Sequence, residues 1–137
     1  MRFLLIASLL ALAACGAPSP RATGVVAQRF GDANPHDFQG SKPQHYAVHG
    51  IDLSKFQTSV DWRAARAAGV NFAYIKATEG GDQTDPLFDQ HWRGAAQAGV
   101  ARGAYHFYYH CRPAIEQARY FIAHVPKSRG ALPPVLD

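Results

Sequence analysis

The run Trp62-Arg63-Ala64-Ala65-Arg66-Ala67-Ala68-Gly69-Val70 returns thirty residues later as Trp92-Arg93-Gly94-Ala95-Ala96-Gln97-Ala98-Gly99-Val100. Each copy reads as a short helix stopped by glycine and followed by a strand. Gly69 and Gly99 stand where a helix needs a left-handed residue just past its end, a conformation that costs glycine little. Asp61 is placed to accept from the first free amides of the first helix. Asp85-Pro86 reads as a cap followed by proline at the first helical position. The strands that follow are Asn71-Phe72-Ala73-Tyr74-Ile75-Lys76 and Arg102-Gly103-Ala104-Tyr105-His106-Phe107.

Outward from the repeat the same grammar holds. Val48-His49-Gly50-Ile51-Asp52 is a strand before the first helix. A third helix is predicted from Pro113 to His124, with Ile115, Ala118, Phe121 and Ile122 on its apolar face. A last strand begins near Leu132 and closes on Asp137. The order is therefore β-α-β-α-β-α-β, with about thirty residues per later unit, the length of a βα crossover. Such alternation implies an α/β fold with a parallel sheet and helices outside. About four units of this kind begin either a doubly wound sheet or part of a β/α barrel. A complete barrel needs roughly 200 residues or more.

Bulk properties set wide bounds. The 137 residues make one domain with a modest core. Lysine and arginine exceed aspartate and glutamate by 14 − 10 = 4, without blocks of like charge. That mild excess suits an anionic surface such as a cell wall. The chain has no basic stripe interleaved with aromatics, so nucleic acid is not an expected partner. The N-terminus is more specific. Arg2 precedes an apolar run from Phe3 to Leu12, too short for a permanent membrane span and of the kind that directs export. Leu12-Ala13-Ala14-Cys15 resembles the lipobox of bacterial lipoproteins, in which the cysteine is lipidated and becomes the new N-terminus. Residues 1–14 are thus expected to be a signal peptide and Cys15 a lipid anchor to the cell envelope, at an outer membrane or periplasmic face. Residues 15–47 read as a linker and arm, and 48–137 as the domain. Cys111 is then the only thiol left in the mature chain, so an internal disulfide is excluded and a structural role is expected for it.

Parallel α/β proteins do their chemistry at the carboxyl ends of the strands. Those ends carry Asp52 and Ser54, then Lys76, Thr78 and Glu79, then Tyr105, His106, Phe107 and Tyr108, and finally Asp137. Acids, aromatics and a lysine at one rim suit a sugar: aromatic faces stack on pyranose rings, and carboxylates act at the glycosidic centre. Each residue also has a plainer reading. Asp52 can bond turn amides, Lys76 and Glu79 can form an ordinary ion pair, and Tyr105 and Phe107 alternate with His106, so one set faces the core. His106 and His110 have metal-ligand spacing only on a helix, and this segment starts as a strand, so no metal is expected. Trp62 and Trp92 are expected to be packing residues.

Several segments together resemble glycoside hydrolase family 25, the lysozymes. They are His49-Gly50-Ile51-Asp52-Leu53-Ser54-Lys55-Phe56-Gln57, Val60-Asp61-Trp62, Phe72-Ala73-Tyr74-Ile75-Lys76-Ala77-Thr78-Glu79-Gly80, Asp85 to Phe88, Ala98-Gly99-Val100, Gly103-Ala104-Tyr105-His106-Phe107 and Pro133-Pro134-Val135-Leu136-Asp137. The resemblance implies an irregular parallel β/α barrel, here its first four units. It implies cleavage of the β-1,4 bond between N-acetylmuramic acid and N-acetylglucosamine in peptidoglycan, without a cofactor. By position, Asp52 is the family's acid at the end of the first strand, and Asp137 is the first acid of its Asp-x-Glu motif. Asp137 would stabilise the substrate's acetamido group in a neighbouring-group mechanism, with the Glu as proton donor. Lys76, Glu79, Tyr105 and Phe107 would line the sugar groove. That Glu falls two residues past Asp137, so the 137 residues alone are expected not to hydrolyse peptidoglycan. The alternatives are a non-catalytic peptidoglycan-binding lipoprotein or a decayed fragment. A chitinase-like barrel fits less well, since its contiguous acid cluster is missing. Oligomeric state stays open.

Overall fold

The computed structural model describes residues 24–27 and 37–137. The expected signal peptide and Cys15 lie outside them. A short 3-10 turn, Pro43–His45, precedes strand β1, His49–Leu53. Then come α1 (Trp62–Ala68), β2 (Val70–Glu79), β3 (Gln83–Thr84), α2 (Phe88–Gln97), β4 (Ala101–Phe107), α3 (Ala114–His124) and β5 (Val135–Leu136).

The sheet order is β1-β2-β4-β5, and these neighbours all pair in parallel. The spatial order follows the chain order without reversal. A doubly wound sheet reverses at its switch point, so this is a run of a β/α barrel, open between β1 and β5. The pairing of β5 extends beyond its two residues: the Leu132 amide donates to the Arg102 carbonyl at 2.8 Å, and the Asp137 amide to the His106 carbonyl at 2.9 Å. The two-residue strand β3 was not expected. It folds back antiparallel on the end of β2, pairing Thr78 with Thr84 and Glu79 with Gln83, through a turn at Gly80 with φ of +56°.

The two copies of the repeat behave as predicted at their ends. The Asp61 carboxylate accepts from the Ala64 amide at 2.9 Å, and Gly69 and Gly99 have φ of +111° and +71°. Both tryptophans are buried in the layer between sheet and helices. They join Leu53, Ala73, Ile75, Ala77, Phe88, Ala95, Val100 and Ala104 there. Truncating a buried tryptophan of this kind costs about 3–5 kcal/mol, so the repeat is a packing device. The Trp92 ring lies 5.2 Å from Phe88, with the Arg102 guanidinium 4.6 Å from it on the other side.

The opposite, inner face of the sheet is built by glycine meeting aromatic. Gly50 pairs with Phe72, and Gly103 pairs with Tyr74. A Cβ at Gly50 would lie 2.1 Å from the Phe72 ring, and one at Gly103 would lie 2.3 Å from Tyr74. The missing side chains let these rings lie flat across neighbouring strands.

Three expectations need correction. Asp85 does not cap α2, whose first residue is three positions on. An intervening turn at Pro86-Leu87 frees its carboxylate to bind two amides, as described below. The buried side of α3 is not the Ile115–Ala118–Ile122 stripe: Ile115 and Ile122 are 61% and 66% exposed, while Gln117 is 1% exposed. The helix turns Gln117 and Phe121 inward because His106, a polar residue, faces it from β4. Cys111, expected as structural, is exposed in the turn before α3.

Candidate functional site

β1, β2, β4 and β5 deliver their carboxyl ends to one rim. Strand alternation sets which side chains enter it. On β4, His106 points to the helices, where it packs 5.9 Å from Phe121. Tyr105 and Phe107 therefore face inward. On β2, Lys76 pairs in register with Tyr105, and Glu79 with Phe107. An irregularity between Lys76 and Thr78 breaks the alternation and turns Glu79 back to the face that carries Lys76.

The result is a fixed polar pair. The Lys76 ammonium donates to one oxygen of Glu79, and the Tyr109 hydroxyl donates to the other. Lys76 is 7% exposed and stands 4.6 Å over the Phe107 ring. Phe107 is 40% exposed. An aromatic ring this exposed is what a sugar stacks on. Lys76 and Tyr109, with Lys55 nearby, hold the Glu79 carboxyl below its ordinary value of 4.5 against the opposing effect of burial. The same bond holds the Tyr109 phenol above its ordinary 10. Glu79 is thus a standing anion at neutral pH, unsuited to hold a proton for transfer.

Tyr105 stands in register with Lys76 on one side and Val135 on the other. Burial first, then Asp52, Asp137 and Asp85 in that order, push its phenol up to about 12, while a contact with Ser54 works the other way. It therefore stays a hydrogen-bond donor across the working pH range. Asp52 and Asp137 are exposed. Both backbone groups of Asp137 are paired, the amide with His106 of β4 and the carbonyl with the Tyr108 amide just past it at 2.8 Å. The rim thus brings together the six residues expected from sequence: Asp52, Lys76, Glu79, Tyr105, Phe107 and Asp137.

Sequence reasoning missed the residues that hold the rim loops. Asp85, 7% exposed, accepts from the Lys55 amide at 2.7 Å through one oxygen and from the Leu87 amide at 2.9 Å through the other. It ties the loop after β1 to the loop before α2. Thr78 was expected at the rim but turns outward, its hydroxyl 2.7 Å from His106 Nδ1. Tyr109 lies past the end of β4, where no strand period marks it. His106 is committed to Thr78 and Gln117, and His110 is exposed. Among the described residues no three potential ligands gather around a metal position.

The other end of the sheet has a different character. A cavity of about 570 Å³ there is lined by Val25, Val48, Phe72, Tyr74, Ala101 and Leu132 among others. Gly24 and Val25 form part of its wall. Asn71 accepts from the Val26 amide at 2.7 Å and donates to the Val26 carbonyl at 2.9 Å, and Arg66 donates to the Gly24 carbonyl. Among the described residues no carboxylate lines this cavity, so its size does not make it the chemical site.

The molecule is thus a parallel β/α barrel run with acids, a phenol and an open aromatic at its strand ends. Residues 51–137 match the family described as Glycosyl hydrolases family 25, and the chain belongs to that family. It is 42% identical over 100 residues to the uncharacterized protein YegX of Escherichia coli K12, covering 69% of this chain and 37% of that one. It is 42% identical over 97 residues to lysozyme M1 of Streptomyces globisporus, covering 66% of this chain and 32% of that one. A solved family 25 glycosyl hydrolase from Bacillus anthracis superposes with a TM-score of 0.68 at 34% identity, covering 78% of this chain and 48% of that one. The chain spans between a third and a half of these relatives.

Proposed function

We propose that this chain carries the substrate-facing part of a muramidase site, acting on the β-1,4 bond between N-acetylmuramic acid and N-acetylglucosamine in peptidoglycan. The observation that carries the reading is that strands at opposite edges of the sheet deliver Asp52 and Asp137 to the rim that holds the buried Tyr105. The similarity to a lysozyme over most of the domain supports the same substrate. In this reading Asp137 steadies the acetamido group that attacks the anomeric carbon, and Asp52 stabilises the developing positive charge. Tyr105 donates a hydrogen bond to the sugar, and Phe107 stacks on a ring with Lys76 and Glu79 beside it. No cofactor or metal has a step to perform.

The proton donor in this reading is a Glu two positions after Asp137, so the 137-residue polypeptide binds wall without cleaving it. A turbidity assay on purified 137-residue protein tests this, paired with co-sedimentation on insoluble peptidoglycan. Binding without release of reducing ends is expected. Wall lysis would overturn the donor assignment, and no binding would overturn the substrate. The second reading, a dedicated peptidoglycan-binding lipoprotein, is favoured by the intact Lys76–Glu79–Phe107 groove. A polypeptide continued through residue-Glu after Asp137 separates the two, because only a muramidase gains lysis.

We also infer export and anchoring: residues 1–14 as signal peptide, Cys15 as lipid attachment, 15–47 as linker, and an envelope location. Among the described residues no helix is long and apolar enough to cross a membrane. Metabolic labelling with a fatty acid tests the anchor. Label lost in Cys15→Ser supports it, and equal label in both sinks it.

A further inference from the structure

Gln117 is the most buried polar side chain of α3, and every hydrogen-bonding atom of its amide is used. Its Oε1 accepts from the Tyr109 amide at 2.9 Å and lies 3.1 Å from His106 Nε2. Its Nε2 donates to the Tyr109 carbonyl at 2.9 Å and to the Arg112 carbonyl at 3.1 Å. These partners fix which end of the amide is oxygen, because two carbonyls need donors and one amide needs an acceptor. They also fix the imidazole: His106 donates from Nε2 to Gln117, and its Nδ1 accepts from the Thr78 hydroxyl. Thr78 belongs to β2 and His106 to β4, so one chain of bonds joins two strands, the loop after β4 and α3.

What the chain of bonds holds is Tyr109. Both backbone groups of that residue end on Gln117, which leaves its side chain one direction to take. The ring lies over Gly80, where a Cβ would come within 2.8 Å of it, and Gly80's own amide is tied to the Phe107 carbonyl at 3.1 Å. From there the phenol reaches Glu79, and Glu79 holds Lys76 above Phe107.

We propose that Gln117 is a positioning residue for the sugar groove: it touches no substrate, but by clamping the main chain of Tyr109 it sets the Tyr109–Glu79–Lys76 relay that aims the ammonium over Phe107. The role of that groove rests on the muramidase reading above. The clamp itself does not. A buried amide fully satisfied by loop backbone transmits a geometry, because each of its four bonds is directional and none can be exchanged for water at that depth. Side-chain networks of this kind are non-additive, which gives the test its form.

The experiment compares the wild-type chain with Gln117→Met, Tyr109→Phe and the double variant, with two readouts. The first is the NMR titration of the Glu79 carboxyl. In wild type it titrates below its ordinary 4.5. Tyr109→Phe raises the midpoint by deleting the hydroxyl. Gln117→Met is expected to raise it by a similar amount although it touches neither group, and the double variant to raise it no further. A purely structural role for Gln117 would leave the Glu79 midpoint where it is in a folded variant. The second readout is co-sedimentation on peptidoglycan, where both single variants are expected to weaken binding about tenfold and the double variant no more than either. An unmoved Glu79 midpoint, or additive losses, overturns the clamp. If wild type fails to bind wall, the muramidase reading falls while the Glu79 titration still decides the clamp. Should Gln117→Met not fold, hydrogen exchange in wild type decides: the Tyr109 amide must be protected as strongly as the amides of β4, and rapid exchange there overturns the proposal.

Discussion

Replacing Glu79 by glutamine tests the rim most directly. Glutamine keeps the shape and one acceptor but removes the charge that Lys76 and Tyr109 face. The Lys76 and Glu79 side chains are 9% and 18% exposed, so solvent screening of the pair is weak but not absent. A hydrogen bond to a charged group contributes about 1.5–3 kcal/mol, and the glutamine acceptor retains part of it. The expected loss is therefore about 1–2 kcal/mol near neutrality. The sign with pH follows from the lowered carboxyl. The fold favours ionised Glu79, so its contribution is fully present above 4.5 and disappears as pH falls through the lower folded value. Urea unfolding followed by the fluorescence of Trp62 and Trp92, both buried, reads the stability of each protein. The wild-type-minus-variant difference should shrink toward zero in acid, whatever the other carboxylates do, because they are common to both. A variant as stable as wild type near neutrality, or a difference that persists unchanged in acid, would refute the argument.

Three further outcomes are expected. Gly94→Ala gains about 1 kcal/mol of helix propensity but places a Cβ 2.3 Å from the Trp62 ring, an overpacking cost of about 1–3 kcal/mol; the thermal midpoint should fall, and the same change in a Trp62→Leu background should raise it. His91→Leu should stabilise by about 1 kcal/mol, because both ring nitrogens are buried without a hydrogen-bond partner; an unchanged or lower urea midpoint would contradict this. Asn71→Ala removes both bonds to Val26, so limited proteolysis should cut near residues 24–27 faster than in wild type while the fragment starting near β1 persists.

The sequence made the barrel order readable because the repeat carries its own punctuation. Asp61, Gly69 and Gly99 act within one turn of helix, and local signals of that kind survive any tertiary context. The inward alternation of Tyr105 and Phe107 against His106 was open in sequence, and the structure decided it through the partner of His106. Interactions across elements were not legible. The apolar period of α3 pointed to Ile115, Ala118 and Ile122, yet the buried position went to Gln117, since the demand for a polar partner came from β4, eleven residues away. Asp85 read as a cap by its own neighbourhood and serves the loop after β1, thirty residues back. Tyr109 carried no signal at all, because only the break in alternation at Lys76–Thr78 brings Glu79 within its reach.

Glycoside hydrolysis needs one carboxyl that holds a proton and one group that stabilises positive charge. At this rim Glu79 is excluded from the first role by its two donors, Lys76 and Tyr109, which favour its ionised form. Tyr105 is excluded as a base by its burial first and then by the nearby acids, which together push its phenol up to about 12. Their joint effect is a groove with set hydrogen-bond directions: Tyr105 always donates, Glu79 always accepts, and Lys76 is held in place rather than free to pair with an exposed acid. The Tyr109–Glu79 bond is therefore best understood as part of what holds Lys76 over the Phe107 ring.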